Sequence, residues 1–525
     1  MQGKKQMQPK IFTSFNLSLA VPEDDFYKRL DKILNLNFLI PATKEYYGSE
    51  GNASIDPRVF FKMVLIGYLE NIASDRKLVK HISNCLNLRL FIRYDIDEII
   101  PVHSTVSRTR QLLGEELFEE LFEQVVSFCI SAGMVKGETQ AIDSALIKAN
   151  ASMESLEVKQ VPQELKQYLA QSKELNDEGA PRHKAKEDKS TLEQRTMQMD
   201  QTKLKELESR YIRQKGTGTS SKRDREHARF VSNETHYSPT DPDARVAVKP
   251  GKPRALYYSA QVSADTAHHV ITHIEAAHAQ GRDSDHTKEI VVQTRNRLEK
   301  HGLELKRILG DTHYGSGEIF AWLHFQGIKH WIPIPSGCQN GPEGFIYDEQ
   351  RDVYTCSQGR ILKNGGREVD DGKGNLVKKY FSKASECAQC PLKQSCIGEK
   401  GKLKKVQHTI YRKYIEKARE RMASEVGKYF RKKRSSTVEP VIGSLLENNN
   451  MRKILTKGLQ QANKIMLCAA ISYNLKKLMK WVVRKEKQAL ALVKEKVKNK
   501  REVIKNMLFQ FTAVYHSPYL TLHYS

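Results

Sequence analysis

Three features are scarce in this chain of 525 residues, and each scarcity excludes a class of protein. No apolar run approaches the roughly 20 residues that a membrane-spanning helix requires, and the run IMLCAAI at 465–471 is far too short. The first residues, MQGKKQMQPK, lack the apolar core of a signal peptide. Eight cysteines in so long a chain do not indicate a disulfide framework. We therefore expect an intracellular protein with no membrane partner.

Acidic residues are scarce relative to basic ones. The chain has 86 Lys and Arg against 62 Asp and Glu, which gives a net charge of +24 and a pI near 9.5. Such an excess is typical of proteins that bind a polyanion, and without a membrane segment DNA or RNA is the favoured partner. The length predicts three or four domains, and a hydrophobic share of 39% is enough for their cores.

The first 135 residues are predicted to form a helical module. Asp56 and Pro57 mark a helix start, and apolar residues at helical spacing follow them. The basic segment HSTVSRTRQLL could be the recognition helix of a helix-turn-helix-like module, with Arg108 and Arg110 contacting DNA. A plain helical bundle is an equally good interpretation.

From about Thr139 strands alternate with helices, which predicts an α/β domain with a partly parallel sheet. The segment TQAIDSALIKANAS indicates a strand, a turn and a second strand. The polar stretch 153–245 is predicted to be an insertion made of a solvated helix pair and a flexible basic loop. Near the end, a long amphipathic helix and a basic tail helix at 484–505 are predicted.

Two aspartates stand at the ends of predicted strands. Asp143 follows the first apolar stretch of TQAIDSALIK, and Asp311 follows the run RILG. Functional residues of α/β sheets gather at the carboxyl ends of strands, so adjacent strands would bring these two carboxylates together. Because neighbouring carboxylates repel each other unless a cation lies between them, the pair predicts a hard divalent ion, by preference Mg²⁺. Either aspartate alone is more often a helix cap or a turn residue.

A third oxygen ligand is expected from Glu439 in STVEPVIGSLLENN. Pro440 fits the first turn of a helix or a kink, so Ser436 or Thr437 is predicted to cap a new helix. Glu439 would then project from the start of that helix, although a glutamate there more often only compensates the helix dipole. A basic run that we expect to contact DNA precedes it: Arg431, Lys432, Lys433 and Arg434.

Four of the cysteines predict a second metal site. Cys356 stands in YTCSQG, and ECAQCPLKQSC contributes Cys387, Cys390 and Cys396. Two cysteines separated by two residues form half of a common zinc site, and the other two can complete a tetrahedral set. The glycine-rich polar segment between them suits hairpins that need a metal for stability. A closed four-thiolate site leaves no position for water, so this Zn²⁺ would be structural. Reduced, unligated thiols are the alternative.

Three motifs in a fixed order carry a family resemblance. AIDSALIKANAS, GDTHYGSGE and STVEPVIGSLLENN, after an N-terminal helical region, resemble the DDE transposases of bacterial insertion sequences over about residues 15–485. The resemblance implies a ribonuclease-H-like catalytic domain. It also implies that Asp143, Asp311 and Glu439 are the catalytic triad and bind two Mg²⁺ or Mn²⁺ ions.

The chain departs from the family pattern near two of these carboxylates. The second motif usually reads Asp-x-Gly-Tyr, and here His313 takes the glycine position. A basic residue usually precedes the glutamate, and Arg434 suits that role. A lysine usually follows about two helical turns later, whereas this chain has Leu446 there and Lys453 further on. We expect Lys453 to contact DNA.

The resemblance also implies how the chain is divided. Residues 1–135 would form the DNA-binding helices, and 136–337 together with 405–485 the catalytic domain. Residues 338–404 would form a small cysteine-rich zinc-binding insertion, and 486–525 a basic tail. This order matches the transposase group with a cysteine-containing insertion between the second Asp and the Glu.

For function, the resemblance implies DNA transposition at the nucleoid in the bacterial cytoplasm. The partners would be double-stranded DNA, as the terminal inverted repeats of the element and the target, and a second copy of the chain in a homodimer. Water would first cut the element end, and the freed 3′ hydroxyl would then attack the target. Two other classes remain open: a ribonuclease-H-like nuclease or resolvase that cuts without joining, and a catalytically inactive DNA-binding derivative.

Overall fold

The computed structural model describes residues 14–47, 54–158, 233, 236–249, 251–334, 343–370 and 376–515. Most of the polar insertion predicted at 153–245, with its helix pair, lies outside these residues. In the part of the chain that the structure describes, no helix is both long and apolar enough to cross a membrane.

The N-terminal region is helical, as predicted, and its helices begin where the sequence supplies caps. Asp56 accepts a hydrogen bond from the backbone N–H of Arg58 at 2.8 Å, and Pro57 occupies the first helical turn, where its missing N–H costs nothing. The helices are α1 (Leu17–Ala20), α2 (Phe26–Ile33), α3 (Leu39–Ala42), α4 (Pro57–Leu69), α5 (Asp75–Asn84), α6 (Leu86–Ile92), α7 (His103–Leu112) and α8 (Glu116–Ser131).

A mixed sheet forms the centre of the following α/β domain. Across the sheet the order is β6-β5-β1-β7-β8, and β4 pairs with the first residues of β5. The pairs β1/β5 and β5/β6 are antiparallel, whereas β1/β7 and β7/β8 are parallel. The strands are β1 (Thr139–Lys148), β2 (Glu157–Val158), β3 (His236–Tyr237), β4 (Arg245–Ala247), β5 (Ala255–Asp265), β6 (Ile271–His278), β7 (Arg307–Leu309) and β8 (Lys329–Trp331), of which β2 and β3 pair separately. The partly parallel sheet is thus confirmed.

Strand β1 differs from its prediction. The segment TQAIDSALIK forms one strand of 10 residues and not a strand, a turn and a second strand. Every residue from Gln140 to Lys148 pairs with β5, so the ladder continues through the polar residues Asp143 and Ser144. Asp143 therefore lies inside a strand, and the strand that ends beside it is β7.

A second, antiparallel sheet holds the cysteine-rich segment. Its order is β13-β12-β11-β10-β9, and two short helices, α11 (Ala384–Ala388) and α12 (Lys393–Ile397), lie between its last two strands in the chain. Tyr354, Leu362, Tyr380 and Val406 form its small core. The strands are β9 (Phe345–Asp348), β10 (Val353–Cys356), β11 (Ile361–Asp370), β12 (Leu376–Phe381) and β13 (Lys405–Thr409).

Helices pack against the central sheet, and two of them differ from prediction. They are α9 (Asp283–Lys300), α10 (Gly317–Phe325), α13 (Arg412–Ala423), α14 (Glu425–Asn448) and α15 (Leu459–Tyr515), while α11 (Ala384–Ala388) and α12 (Lys393–Ile397) belong to the second sheet. The predicted amphipathic helix and basic tail helix form one continuous helix, α15, because no glycine or proline interrupts the chain between them.

Pro440 does not begin a helix but lies inside α14, whose cap is Ser424. The predicted caps take another role, because the hydroxyls of Ser436 and Thr437 donate hydrogen bonds to the Lys433 carbonyl at 3.1 and 2.7 Å. Glu439 thus projects from the middle of a long helix.

The N-terminal helices and the central sheet share one hydrophobic core. Phe61 of α4 and Phe118 of α8 join Val262 of β5, Ile274 of β6 and Leu467 of α15 in the same buried cluster. Removing this apolar surface from water stabilises the assembly by roughly 25 cal/mol per Å². The helices that precede the sheet in sequence therefore support its position and that of α15.

Candidate active site

Strand register brings the two predicted aspartates together. Thr139, Gln140 and Ala141 of β1 pair with Arg307, Ile308 and Leu309 of β7 in parallel. Continuing that register by two residues sets Asp143 opposite Asp311. The negative charge of Asp311 acts on Asp143 and raises its pKa, which is the electrostatic sign of two neighbouring carboxylates.

Asp143 is a desolvated carboxylate. Its side chain is only 16% exposed, and burial is the main reason that its pKa is raised to about 6. The charge of Arg434 and a hydrogen bond from the Ser144 N–H at 2.8 Å oppose that rise. A buried carboxylate needs a cation nearby, so this position selects for a positively charged partner.

Arg434 is that partner in the structure. Its Nη2 lies 2.5 Å from Asp143 Oδ2, and its Nη1 lies 3.5 Å from Glu439 Oε1. One guanidinium therefore connects a carboxylate of the central sheet with a carboxylate of α14. Its Nε is buried and has no hydrogen-bond partner among the described residues.

Asp311 is held by the loop that follows β7. Its Oδ1 accepts a hydrogen bond from the His313 N–H at 2.9 Å and caps a short 3₁₀ helix, Thr312–Tyr314. Tyr314 is fully buried and donates a hydrogen bond to Gln261 Oε1 at 2.9 Å. At Gly315 a Cβ would lie 2.9 Å from the Phe320 ring, so only glycine lets the loop pass this closely. These contacts fix Asp311 beside β1.

The donor chemistry of the three carboxylates suits a hard divalent cation. Asp143, Asp311 and Glu439 offer only oxygen, which Mg²⁺ prefers. Nevertheless, no group of three or more His, Cys, Asp or Glu side chains in the described chain is arranged to hold a metal. Arg434 supplies the positive charge between Asp143 and Glu439 in this arrangement. The oxygen donors therefore suit a divalent ion in their chemistry, while in this arrangement the Arg434 guanidinium contacts Asp143 and Glu439 in place of a metal.

Of the residues predicted to contact DNA, Arg110 has another role. Both of its terminal nitrogens donate to Asp75 of α5, at 2.8 and 2.9 Å, and its side chain is 15% exposed. Its charge is used to join α7 to α5, because a buried guanidinium requires a bidentate carboxylate partner. The structure does not support a DNA contact by Arg110, whereas Arg108 on the same helix is exposed.

The other predicted DNA contacts surround α14 and the chain that follows it. Arg431 and Lys432 are exposed, and Lys433 is half-buried. Lys453 is exposed beside the end of β1, where the Ile454 N–H donates to the Lys148 carbonyl at 2.8 Å. Only Arg434 of the basic run turns inward to the carboxylates.

The four cysteines predicted to bind zinc lie toward one end of the second sheet. Cys356 ends β10, while Cys387 and Cys396 lie on α11 and α12 and Cys390 lies between these helices. All four are free, half-buried thiols, and the Ser382 hydroxyl lies 3.0 Å from Cys387 Sγ. The described side chains do not gather them into a metal-binding group. The four cysteines thus lie toward the same end of the second sheet, but they do not form a zinc site in this arrangement.

Sequence reasoning missed a second polar cluster on β1. Ser144 Oγ donates to Asp283 Oδ1 at 2.8 Å, and Lys249 Nζ lies 3.1 Å from the same hydroxyl. Burial raises the pKa of Asp143, and the charge of Lys249, like that of Arg434, opposes that rise. No motif marks these residues, because they come from three distant segments that only the sheet brings together.

Family comparisons agree with this architecture. Residues 15–112 match the model described as Transposase domain (DUF772), and residues 355–479 match the model described as Transposase DDE domain. The second match covers Arg434, Glu439 and the four clustered cysteines, whereas Asp143 and Asp311 precede it. No curated protein matches the chain.

These matches first define the class. The helical region and the segment that carries the second sheet and the helices after it are each matched by a transposase model, and the mixed α/β sheet between them is compatible with a transposase. The two matches together support a DDE transposase of an insertion sequence, so the resemblance drawn from the three motifs is confirmed. They do not confirm the subgroup with a cysteine insertion. DDE transposases generally use divalent metal ions.

Proposed function

We propose that this protein binds the terminal inverted repeats of its insertion sequence, cuts the DNA at the element ends and joins the 3′ ends to target DNA. The observation that carries the proposal is the convergence of Asp143 and Glu439 on one guanidinium, with Asp311 just after the neighbouring strand β7. The strand order β6-β5-β1-β7-β8, antiparallel on one side of β1 and parallel on the other, supports a ribonuclease-H-like catalytic domain.

The carboxylates would hold two Mg²⁺ or Mn²⁺ ions. When bound, such ions lower the pKa of an attacking water and stabilise the leaving oxygen. Asp143, Asp311 and Glu439 would supply the oxygen ligands that hold these ions. Because the pKa of Asp143 is about 6, its carboxyl group is ionised in most molecules at pH 7 and can bind a cation.

The chain's own residues then position the DNA for two displacements. In the first, a water oxygen bonds to phosphorus and the bond to the 3′ oxygen breaks, which leaves a 3′ hydroxyl on the element. In the second, the oxygen of that hydroxyl bonds to the phosphorus of a target phosphodiester, the bond from that phosphorus to the target's own 3′ oxygen breaks, and the released 3′ oxygen takes up the proton. Arg434, released from the carboxylates, would bind the phosphate backbone together with Arg431, Lys432 and Lys433. Because the two ends must be held together, we expect a homodimer on DNA.

Exposed basic residues would supply most of the affinity for DNA. Arg108 on α7 and Lys453 beside β1 would extend the contacts beyond α14. If roughly 6–10 phosphates are contacted, affinity falls by about 10³–10⁵ between 50 and 200 mM salt. We further propose that Cys356, Cys387, Cys390 and Cys396 close around one structural Zn²⁺, since a small sheet with so few core residues gains stability from a metal.

Substituting Asp311 tests the assignment. The variant Asp311→Ala should lose Mg²⁺-dependent cleavage and joining of terminal-repeat DNA, while its affinity for that DNA stays within about twofold of wild type. Glu318→Gln is the matched control. Glu318 is an exposed carboxylate in the same segment, and it pairs with Lys288 on the surface. Normal cleavage by Asp311→Ala would remove the triad.

The same assay separates the alternatives. A wild-type protein that cuts terminal-repeat DNA without joining it would be a nuclease or resolvase. One that binds the DNA tightly but neither cuts nor joins it would be an inactive derivative.

A further inference from the structure

A cavity of about 370 Å³ opens at the edge of the central sheet, between β8, α10 and α13. None of the three carboxylates lines it, so it is separate from the candidate active site. Its size falls within the range of about 300–1,000 Å³ that is typical of small-molecule pockets. The cavity is therefore large enough for a ligand beyond a simple ion.

Aromatic rings form two walls of this cavity. The Phe320 and His330 rings stack with centroids 4.4 Å apart and planes inclined by 7°. The His324 and Tyr414 rings lie 5.3 Å apart across the gap between α10 and α13. The Phe320 and His330 rings cover each other's faces, whereas the His324 and Tyr414 rings, whose planes are inclined by 51°, offer aromatic surface against which a planar ligand group can stack.

The lining is also basic. Lys329, Lys417 and Arg421 contribute positive charge, and no Asp or Glu is among the lining residues. Arg421 is half-buried, and burial lowers the pKa of its guanidinium. It donates to the His330 carbonyl at 2.9 Å, but none of the described carboxylates forms an ion pair with it. A partly desolvated cation without a counter-ion indicates an anionic ligand.

One buried polar atom in the lining has no partner. His330 is 5% exposed, and its Nδ1 has no hydrogen-bond partner among the described residues. Burial and the charge of Arg421 lower the pKa of this histidine to about 3, so the ring is neutral at physiological pH. This nitrogen is closed off from solvent, so the neutral ring adds no charge to the cavity, and the positive charge of the lining comes from Lys329, Lys417 and Arg421.

We propose that this cavity binds a nucleotide unit, with its base against the Tyr414 and His324 rings and its phosphate between Lys417 and Arg421. Inorganic phosphate would satisfy the charges but leave the aromatic walls unfilled, and a nucleoside would do the reverse. The nucleotide can come from a free mononucleotide or from a single-stranded DNA segment, because both present the same phosphate and base.

Isothermal titration of the full-length protein tests this proposal, with no divalent cation added. The probes are dAMP, deoxyadenosine and inorganic phosphate. We expect dAMP to bind at one site per chain and more tightly than either of the others. The variant Lys417→Gln should weaken dAMP binding by about tenfold, since it removes one charge-assisted contact from an exposed position that does not affect folding. Its matched control is Arg419→Gln, which removes an exposed charge from the same helix outside the cavity.

The aromatic wall is tested separately. Tyr414→Leu keeps an apolar side chain but removes stacking, and should weaken dAMP binding by between about fivefold and a hundredfold while leaving phosphate binding unchanged. If Lys417→Gln and Arg419→Gln weakened dAMP binding equally, the proposal would be overturned, because dAMP would then be attracted by the positive surface as a whole and not by this cavity. Equal affinity for dAMP and phosphate, or no dAMP binding at millimolar concentration, would also overturn the proposal.

A competition experiment distinguishes a free mononucleotide from a DNA strand as the source of the bound nucleotide. Displacement of dAMP by a single-stranded pentanucleotide assigns the site to a DNA strand, and dAMP binding that the pentanucleotide leaves unchanged assigns it to a free nucleotide. Asp311→Ala should bind dAMP as the wild type does. The nucleotide site and the proposed transposase chemistry can therefore fail independently.

Discussion

Arg434 and a divalent cation should compete for the same carboxylates, and the variant Arg434→Met isolates that competition. In the absence of metal the guanidinium is the counter-ion of Asp143, and both side chains are largely buried, at 14% and 16% exposure. Removing one partner of a buried pair costs about 3–5 kcal/mol, because the other charge remains desolvated. Since Asp143 keeps some exposure, we expect the lower end, about 3 kcal/mol at pH 8.

The loss of stability in Arg434→Met should depend on pH, and the pKa of Asp143 sets the direction of that dependence. The folded-state pKa of Asp143, about 6, lies above the value of 3.8 expected for an exposed aspartate. The folded protein therefore binds this proton more tightly than the unfolded chain, and its stability falls as pH rises from about 4 to 6. Without Arg434 that pKa rises further, so Arg434→Met should be nearly as stable as wild type at pH 5 and clearly less stable at pH 8.

Mg²⁺ should restore the stability that Arg434→Met loses at pH 8. A ligand that binds only the folded state stabilises it by about 2.7 kcal/mol at one hundred times its dissociation constant. In the variant the ion need not displace a guanidinium, so Mg²⁺ should bind more tightly and raise the melting temperature by more than in wild type. Thermal unfolding followed by circular dichroism, with and without Mg²⁺ at pH 8, measures both effects.

Lys432→Met is the matched control, because Lys432 is an exposed cation on the same helix. Two results would refute the reasoning. One is an Arg434→Met protein as stable at pH 8 as the control. The other is a Mg²⁺ shift that is equal in both variants and persists when Asp311 is changed to Asn.

Three further predictions concern other parts of the molecule. Arg110→Met should lower the free energy of unfolding by about 3 kcal/mol, since it leaves Asp75 half-buried without a partner, whereas Arg108→Met should leave urea unfolding unchanged and weaken DNA binding. Burial lowers the pKa of His408 to about 4, so the second sheet should lose up to about 3 kcal/mol as pH falls from 6.5 to 4, and His408→Gln should remove that dependence in unfolding curves at pH 7 and 4.5. Finally, Cys390→Ser should reduce the zinc content of the purified protein from one ion per chain, and a wild type without zinc would refute the thiolate site.

The candidate active site was only partly predictable from the sequence. The three acidic residues, their order and the alternation of strands with helices follow from local patterns, as does the cap at Asp56. The turn predicted within β1 was wrong, because local polarity at Asp143 and Ser144 suggested a break where pairing with β5 maintains the strand. Pro440 was misplaced for a related reason: α14 packs along the sheet and tolerates a residue that an isolated helix would reject.

The sequence by itself therefore indicated the helical start, the α/β character and the excess of basic residues, and it named the three carboxylates as candidates, since these depend on composition and on residues close together in the chain. Tertiary structure decided which charges are paired. It paired Arg110 with Asp75 and Arg434 with Asp143, left Arg421 without a carboxylate partner among the described residues, and formed the cavity between α10 and α13. The physical reason is that the environment of a charge is set by burial and by neighbours within a few ångströms, and segments up to 291 residues apart supply those neighbours.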